Sequence, residues 1–77
     1  MADVPGLVRY LAEALTEQQD AIEVSEVSDG RNATVQLKVA PDDMGRIIGR
    51  DGRVANAIRN LIHAADDEAR WRLEILD

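Results

Sequence analysis

Two glycines three residues apart, Gly49 and Gly52, interrupt apolar stretches of helical period and limit what this chain can fold into more than any other feature. In Ile47-Ile48-Gly49-Arg50-Asp51-Gly52-Arg53-Val54 the helical pattern is cut over a span suited to a tight turn between two helices. Glycine lacks a Cβ, so Gly49 is expected to end the first helix in a left-handed conformation, and Gly52 to let another backbone approach the start of the second. The first N–H groups of that second helix have no partner within it and suit an anion. Arg46, Arg50 and Arg53 surround the turn with positive charge, so the anion these residues predict is a nucleic-acid backbone.

The remaining periodicities set out the rest of the fold. Leu7, Val8, Leu11, Ala12, Ala14 and Leu15 recur at three-to-four spacing behind Pro5, which predicts an amphipathic helix to about Glu17 with Arg9, Glu13 and Gln18 on its other face and Tyr10 half-buried. Ile22-Glu23-Val24 alternates before Glu26-Val27 breaks phase, predicting a strand with a bulge or an early end. After a turn at Asp29-Gly30-Arg31-Asn32, Val35, Leu37 and Val39 alternate with Thr34, Gln36 and Lys38, a half-buried strand paired with the first. Pro41-Asp42-Asp43 stops it and opens a short helix whose buried side is Met44, Ile47 and Ile48. Beyond the glycine turn, Val54, Ile58, Leu61 and Ala65 form a stripe opposite Arg53, Asn56, Asn60 and His63. Asp66-Asp67-Glu68 reads as a solvated loop, and Trp71, Leu73 and Ile75 alternate in a last strand with Trp71 directed at the core.

The order is α-β-β-α-α-β. A two-helix crossover between the second and third strands suits parallel neighbours, so the fold class is α+β, a three-stranded mixed sheet with three helices on one face. No repeat or linker divides residues 1–77, which are read as one domain.

Charge and composition narrow the function. Nine basic residues against fifteen acidic ones give a net charge of −6, unlike most nucleic-acid binders, so the location of the charges decides. Residues 45–63 carry four arginines against Asp51 alone, a local +3, whereas residues 1–30 hold seven carboxylates against Arg9. An acidic face keeps a small protein in solution, and it also confines any RNA to the other side. Without cysteine there are no disulfides or thiolate metal sites, and one histidine does not make a zinc site, so no cofactor is expected. No run approaches the roughly 18 apolar residues of a membrane span, and Met1-Ala2-Asp3-Val4-Pro5 lacks the basic start of a signal peptide, which predicts a cytoplasmic protein without membrane contact. The hydroxyls are Thr16, Ser25, Ser28 and Thr34, and His63 lies among arginine and asparagine, so no nucleophile and base pair up and no enzyme is expected.

Ile48-Gly49-Arg50-Asp51-Gly52 resembles the I-G-x-x-G loop of KH domains, which bind single-stranded RNA and DNA. With its flanks, residues 39–49 and 52–61, the chain is similar over nearly its whole length to the small bacterial KhpA proteins. The resemblance implies a type II KH fold, with residues 30–77 as the KH core and residues 1–29 adding the N-terminal helix and first strand. It implies about four nucleotides of RNA in a groove beside the turn. There Gly45 keeps the helix surface low, Gly49 and Gly52 allow backbone contact, Arg46, Arg50 and Arg53 face phosphates, and Ile48 forms an apolar floor. Thr34, Gln36 and Lys38 are candidates for reading base edges. Asp51 opposes phosphate at short range unless Arg50 pairs with it. The implied role is that of a non-enzymatic RNA chaperone in post-transcriptional regulation, in a family linked to cell-wall and cell-length control. The implied partners are single-stranded RNA and either a second copy or a KhpB-like KH protein; a core this small is not expected to hold all of Val8, Leu15, Trp71 and Ile75, so some of them are expected to be shared with that partner. The residues leave open a ribosome-assembly factor bound to ribosomal RNA, and a protein-interaction module that no longer grips RNA.

Overall fold

A computed structural model describes residues 3–66, 68 and 70–76 of the chain. Helix α1 spans Val4–Leu15, strands β1 and β2 span Glu23–Asp29 and Asn32–Lys38, helices α2 and α3 span Met44–Ile48 and Arg53–Ala65, and strand β3 spans Trp71–Leu76. Single 3-10 turns precede β1, α2 and α3. The expected acidic run Asp66-Asp67-Glu68 is described only at its two ends, since Asp67 lies outside the described residues.

Each helix starts and stops for a local reason. Asp3 caps α1 by accepting a hydrogen bond from the Gly6 N–H at 3.0 Å, and Pro5 in the first turn gives up an N–H that would have no helical partner. At the other end the Thr16 hydroxyl donates to the Ala12 carbonyl at 2.8 Å, and the chain turns extended. Pro41 opens the 3-10 turn that leads into α2. Asp66 accepts from the Trp71 N–H at 2.7 Å and fixes the passage from α3 to β3.

The sheet order is β1-β2-β3. β1 and β2 form an antiparallel hairpin from Glu23↔Lys38 to Asp29↔Asn32, turned at Gly30 with φ +61°, and β2 runs parallel to β3 from Ala33↔Trp71 to Lys38↔Leu76. The crossover through α2 and α3 therefore gives the parallel pair expected of it. Ala33, Val35 and Leu37 are buried beneath the helices while Thr34, Gln36 and Lys38 lie on the opposite face. Val4, Val8 and Ala12 of α1, Ile47 of α2, Ile58 and Ile62 of α3, and Leu73 of β3 close the core.

Five expectations need correction, the first in α2, where Ile47 is buried but Ile48 is 38 % exposed because it stands beside the glycine turn. β1 has neither bulge nor early end, and its register with β2 is unbroken. The phase break is still real, because Glu26 falls on the helix-side row opposite Val35 and Val27 on the open face, half exposed, where the edge of the sheet extends past the helices. In α3 the buried stripe is Ala55, Ile58 and Ile62, and Leu61 is 48 % exposed. Tyr10 is 68 % exposed rather than half-buried. Val8 is fully inside and unavailable to a partner, while Leu15, Trp71 and Ile75 pack against the core and stay partly exposed.

Candidate nucleic-acid interface

Helix α2 is one turn and a half long because Gly49 breaks it. Gly49 closes the helix through its N–H to the Gly45 carbonyl at 2.8 Å and then takes φ 75°, ψ 173°, a region that only glycine visits readily. It is thus Gly52, not Gly49, that adopts the left-handed helical conformation, at φ 78°, ψ 14°, as the residue preceding α3. Between them Asp51 sits at φ 58°, ψ 24°, which aspartate tolerates better than most side chains. A Cβ on Gly49 would run into Val54, meeting its side chain and, at 2.8 Å, its backbone nitrogen. A Cβ on Gly45 would meet nothing within 4 Å, so that position is bare surface beside the turn.

The sequence-predicted site residues divide into two groups. Arg50, Asp51 and Arg53 are exposed around the turn, with Gly49 and Gly52 half-buried, Gly45 exposed and Ile48 38 % exposed beside them. No side chain caps the first turn of α3 and no acidic residue stands in it; the Arg53 N–H is taken by the Arg50 carbonyl, while among the described residues its guanidinium has no ion-pair partner. Among the described residues Arg50 and Asp51 form no ion pair, which leaves both charges at the turn surface. Arg46 is placed differently. Its guanidinium is held by Glu17 at 2.7 Å and Asp43 at 3.1 Å.

That arginine belongs to a strut between the end of α1 and the start of α2. Asp43 is buried, and its carboxylate accepts from the Gln18 N–H at 3.0 Å, the Glu17 N–H at 3.2 Å and Arg46. The Gln18 N–H most of all, then those of Glu17 and the Arg46 charge, hold its pKa below the usual carboxylate range against the opposing effect of burial. The Glu17 carboxylate in turn raises the Arg46 pKa.

A second part of the surface was not anticipated from the sequence. Between α3 and β3 lies a cleft of about 250 Å³ lined by Arg59, Ile62, His63, Trp71, Arg72 and Leu73. It begins two turns of helix beyond the glycine turn. One wall is β3, an edge strand whose outward main-chain N–H and C=O groups do not pair with β2. The i, i+4 spacing of Arg59 and His63 was the available signal, but only the fold sets β3 against them; Arg72 borders the cleft from the strand, with its side chain on the Thr34 face of the sheet. Thr34, Gln36 and Lys38 stand on the far face of the sheet, where Gln36 is engaged by Ser25 at 3.2 Å and Glu74 at 2.8 Å, so they do not share a groove with the turn.

Comparison with known proteins agrees with this geometry. The family profile described as KhpA/KhpB, KH domain matches residues 6–75. The chain is 49 % identical over 59 residues to the RNA-binding protein KhpA of Caldanaerobacter subterraneus subsp. tengcongensis, covering 77 % of this chain and 79 % of that protein. It is 44 % identical over 73 residues to the RNA-binding protein KhpA of Halalkalibacterium halodurans, covering 92 % and 96 %. With the protein of the same name from Leifsonia xyli subsp. xyli the identity is 34 % over 68 residues, covering 88 % and 90 %. No solved structure matches the chain with significance. A glycine turn joining two helices, the α-β-β-α-α-β order with its parallel β2–β3 pair, and a profile match across nearly the whole chain make it a member of the KhpA/KhpB KH-domain family.

Proposed function

We propose that the chain is a non-enzymatic, cytoplasmic protein that binds single-stranded RNA through the glycine turn and the adjoining α3–β3 cleft. The observation that carries this reading is the turn itself: Gly49 and Gly52 in glycine-favoured conformations set an uncapped helix start and two unpaired arginines, Arg50 and Arg53, at one surface. The backbone of about four nucleotides lies along the turn, as in KH domains. Gly45 gives it room, Ile48 gives it apolar contact, and Arg59, His63 and the free edge of β3 meet the bases. Arg46 contributes as a strut through Glu17 and Asp43 rather than as a mobile arm. The relatives' shared name supports RNA as the ligand. The cellular role we assign is that of an RNA chaperone in post-transcriptional control, acting as a dimer with itself or with another KH protein.

Titration of fluorescent single-stranded RNA tests the reading. Binding of the backbone through Arg50 and Arg53 gives a slope of log K against log salt of about −1.4, at roughly −0.7 for each phosphate contact. Arg50→Asp, in an exposed position, is expected to abolish binding in a folded protein because it sets a second carboxylate beside Asp51. A slope near zero, or undiminished affinity in that variant, favours instead an interaction module that has lost its RNA. The unpaired carboxylate of Asp51 at the turn is the observation on that side.

A further inference from the structure

Arg46 carries a different carboxylate on each of its terminal nitrogens. Nη1 is held at 3.1 Å by Asp43, which is buried, and Nη2 at 2.7 Å by Glu17, whose side chain is 73 % exposed. The two carboxylates have unequal duties. Asp43 already ties the end of α1 to α2, because it accepts the Glu17 and Gln18 N–H groups as well as the arginine. The Glu17 carboxylate has no other ion-pair partner among the described residues, and it lies beyond the end of α1 at Leu15, so no helix depends on it. Even so, Glu17 does more than Asp43 to stabilise the charge on Arg46. An exposed pair of this kind shifts an equilibrium by up to about fivefold, so a second anion can compete for Nη2.

The competing anion comes close to it. Arg46 stands three residues before Gly49, about 4.5 Å along the axis of α2, and next to Gly45, whose surface is open. A stacked strand carries one phosphate about every 3.4 Å, so RNA seated on the turn at Arg50 and Arg53 brings a neighbouring phosphate within reach of this guanidinium. Asp43 fixes the orientation of the guanidinium fork and leaves its Nη2 edge at the surface, where Glu17 meets it. We propose that Glu17 withholds Arg46 from RNA: its carboxylate occupies the place of a phosphate, so that a turn surrounded by three arginines grips with two. The contact keeps the grip weak. Removing the Glu17 charge turns Arg46 from a strut into a third phosphate contact, still oriented by Asp43.

The inference rests on the RNA-binding reading, and the test separates the two. Affinities for single-stranded RNA of uniform sequence are measured by fluorescence anisotropy over a range of salt. A tetramer fills the groove, and a hexamer carries phosphates past the turn. Wild type is compared with Glu17→Gln, with Arg46→Gln, with the double variant of these two, and with Glu13→Gln. The last removes one charge from the exposed part of α1 and keeps the carbonyl that accepts from Gln19. Circular dichroism checks that each protein is folded. On the hexamer Glu17→Gln is expected to bind about fivefold more tightly than wild type and to steepen the slope of log K against log salt by about 0.7, from about −1.4 to about −2.1. Glu13→Gln is expected to do neither. In the Arg46→Gln background the Glu17 substitution is expected to bring no gain, because no guanidinium is left to release. An equal gain in that background, or in Glu13→Gln, makes Glu17 one more negative charge that repels RNA and overturns the proposal. A Glu17→Gln protein with the wild-type slope overturns it too. If Arg46→Gln does not fold, the slopes of Glu17→Gln and Glu13→Gln decide by themselves. A proposal overturned in any of these ways leaves the turn its role. If the wild type binds neither the tetramer nor the hexamer, the RNA reading itself falls, and this inference with it.

Discussion

At the scale of single residues the candidate site turns on three positions, Gly49 and Asp51 with positive φ and Gly45 without, and each makes a different demand. Gly49 is needed twice, for its φ of 75° and for the space that Val54 occupies, so Gly49→Ala combines backbone strain with overpacking at a cost of about 1–3 kcal/mol. A domain of this size has on the order of 5 kcal/mol to lose, so the thermal midpoint should fall by several degrees at least, and RNA binding should fall with it. Gly45 has neither demand. Gly45→Ala is expected to leave the midpoint within about a degree of wild type and to lower RNA affinity, because the added methyl stands where the ligand approaches; a loss of stability with affinity unchanged would falsify this assignment. Asp51 is the third position. Two like charges about 4 Å apart in water repel by about 1 kcal/mol, so removing its charge should tighten RNA binding about fivefold. Asparagine keeps the left-handed preference, which makes Asp51→Asn the clean substitution. Unchanged affinity in a titration at low salt means that no phosphate comes near the turn.

At the scale of elements, the strands and helices were legible because each carries a period, and what could not be read was which face a period serves. The alternation of Val35, Leu37 and Val39 and the two-helix crossover gave β2 and its parallel partner directly. For α3, residues 54, 58, 61 and 65 and residues 55, 58, 62 and 65 both satisfy helical spacing, and only the approach of α3 to β3 and α1 decides for Ile62 over Leu61. The same limit applies to the site. The glycine turn is local and readable, while β3 comes up against Arg59 and His63 only through tertiary packing, and Arg46 is taken up by Glu17, 29 positions earlier in the chain. Its partner Asp43 gives a prediction about α1 and α2 together. Backbone N–H donors lower the pKa of Asp43, and likewise of Asp66 at the end of α3. Above an unfolded-state pKa of about 3.9 both carboxylates are charged in either state, and their stabilisation is complete. As pH falls below that value the unfolded chain takes up protons before the folded one does, so the stabilisation is lost towards the lower folded pKa. Thermal midpoints measured by circular dichroism should therefore hold from pH 7 to about pH 5 and drop below about pH 4. Asp43→Asn, which turns an amide NH2 towards the backbone donors, should lower the midpoint at pH 7 and flatten the acid limb. A variant with an acid limb as steep as wild type would remove Asp43 from that account.

Across the whole molecule the sheet order separates the charges. β1, with Glu23, Glu26 and Asp29, forms one edge of the sheet, and β3 forms the other, beneath α3 with Arg53 and Arg59. An acidic chain can in this way present a basic strip, and in the proposed function the acidic edge repels RNA towards the α3–β3 side. The same separation leaves the outer surface of the helix layer to explain. The described residues contain two large, well-exposed apolar side chains on α1 and α3, Tyr10 at 68 % and Leu61 at 48 %, and neither belongs to the turn or to the α3–β3 cleft. Leu61 occupies a core-like position in the sequence pattern yet faces outward, which is how a helix looks when one face packs inward and the next meets a partner. A second copy of a small domain is an economical partner, since two weak grips on one RNA raise its effective affinity without new contacts to each nucleotide. Light scattering at micromolar concentration should then give a dimer. Leu61→Glu should give a folded monomer, because the side chain it replaces contributes little to the buried core. That monomer should retain the tetramer affinity of the wild type and lose the added affinity for RNAs long enough to engage two domains. A wild type that remains monomeric with RNA and with a second KH protein present would leave Leu61 as an isolated surface residue and the chain as a single RNA clamp.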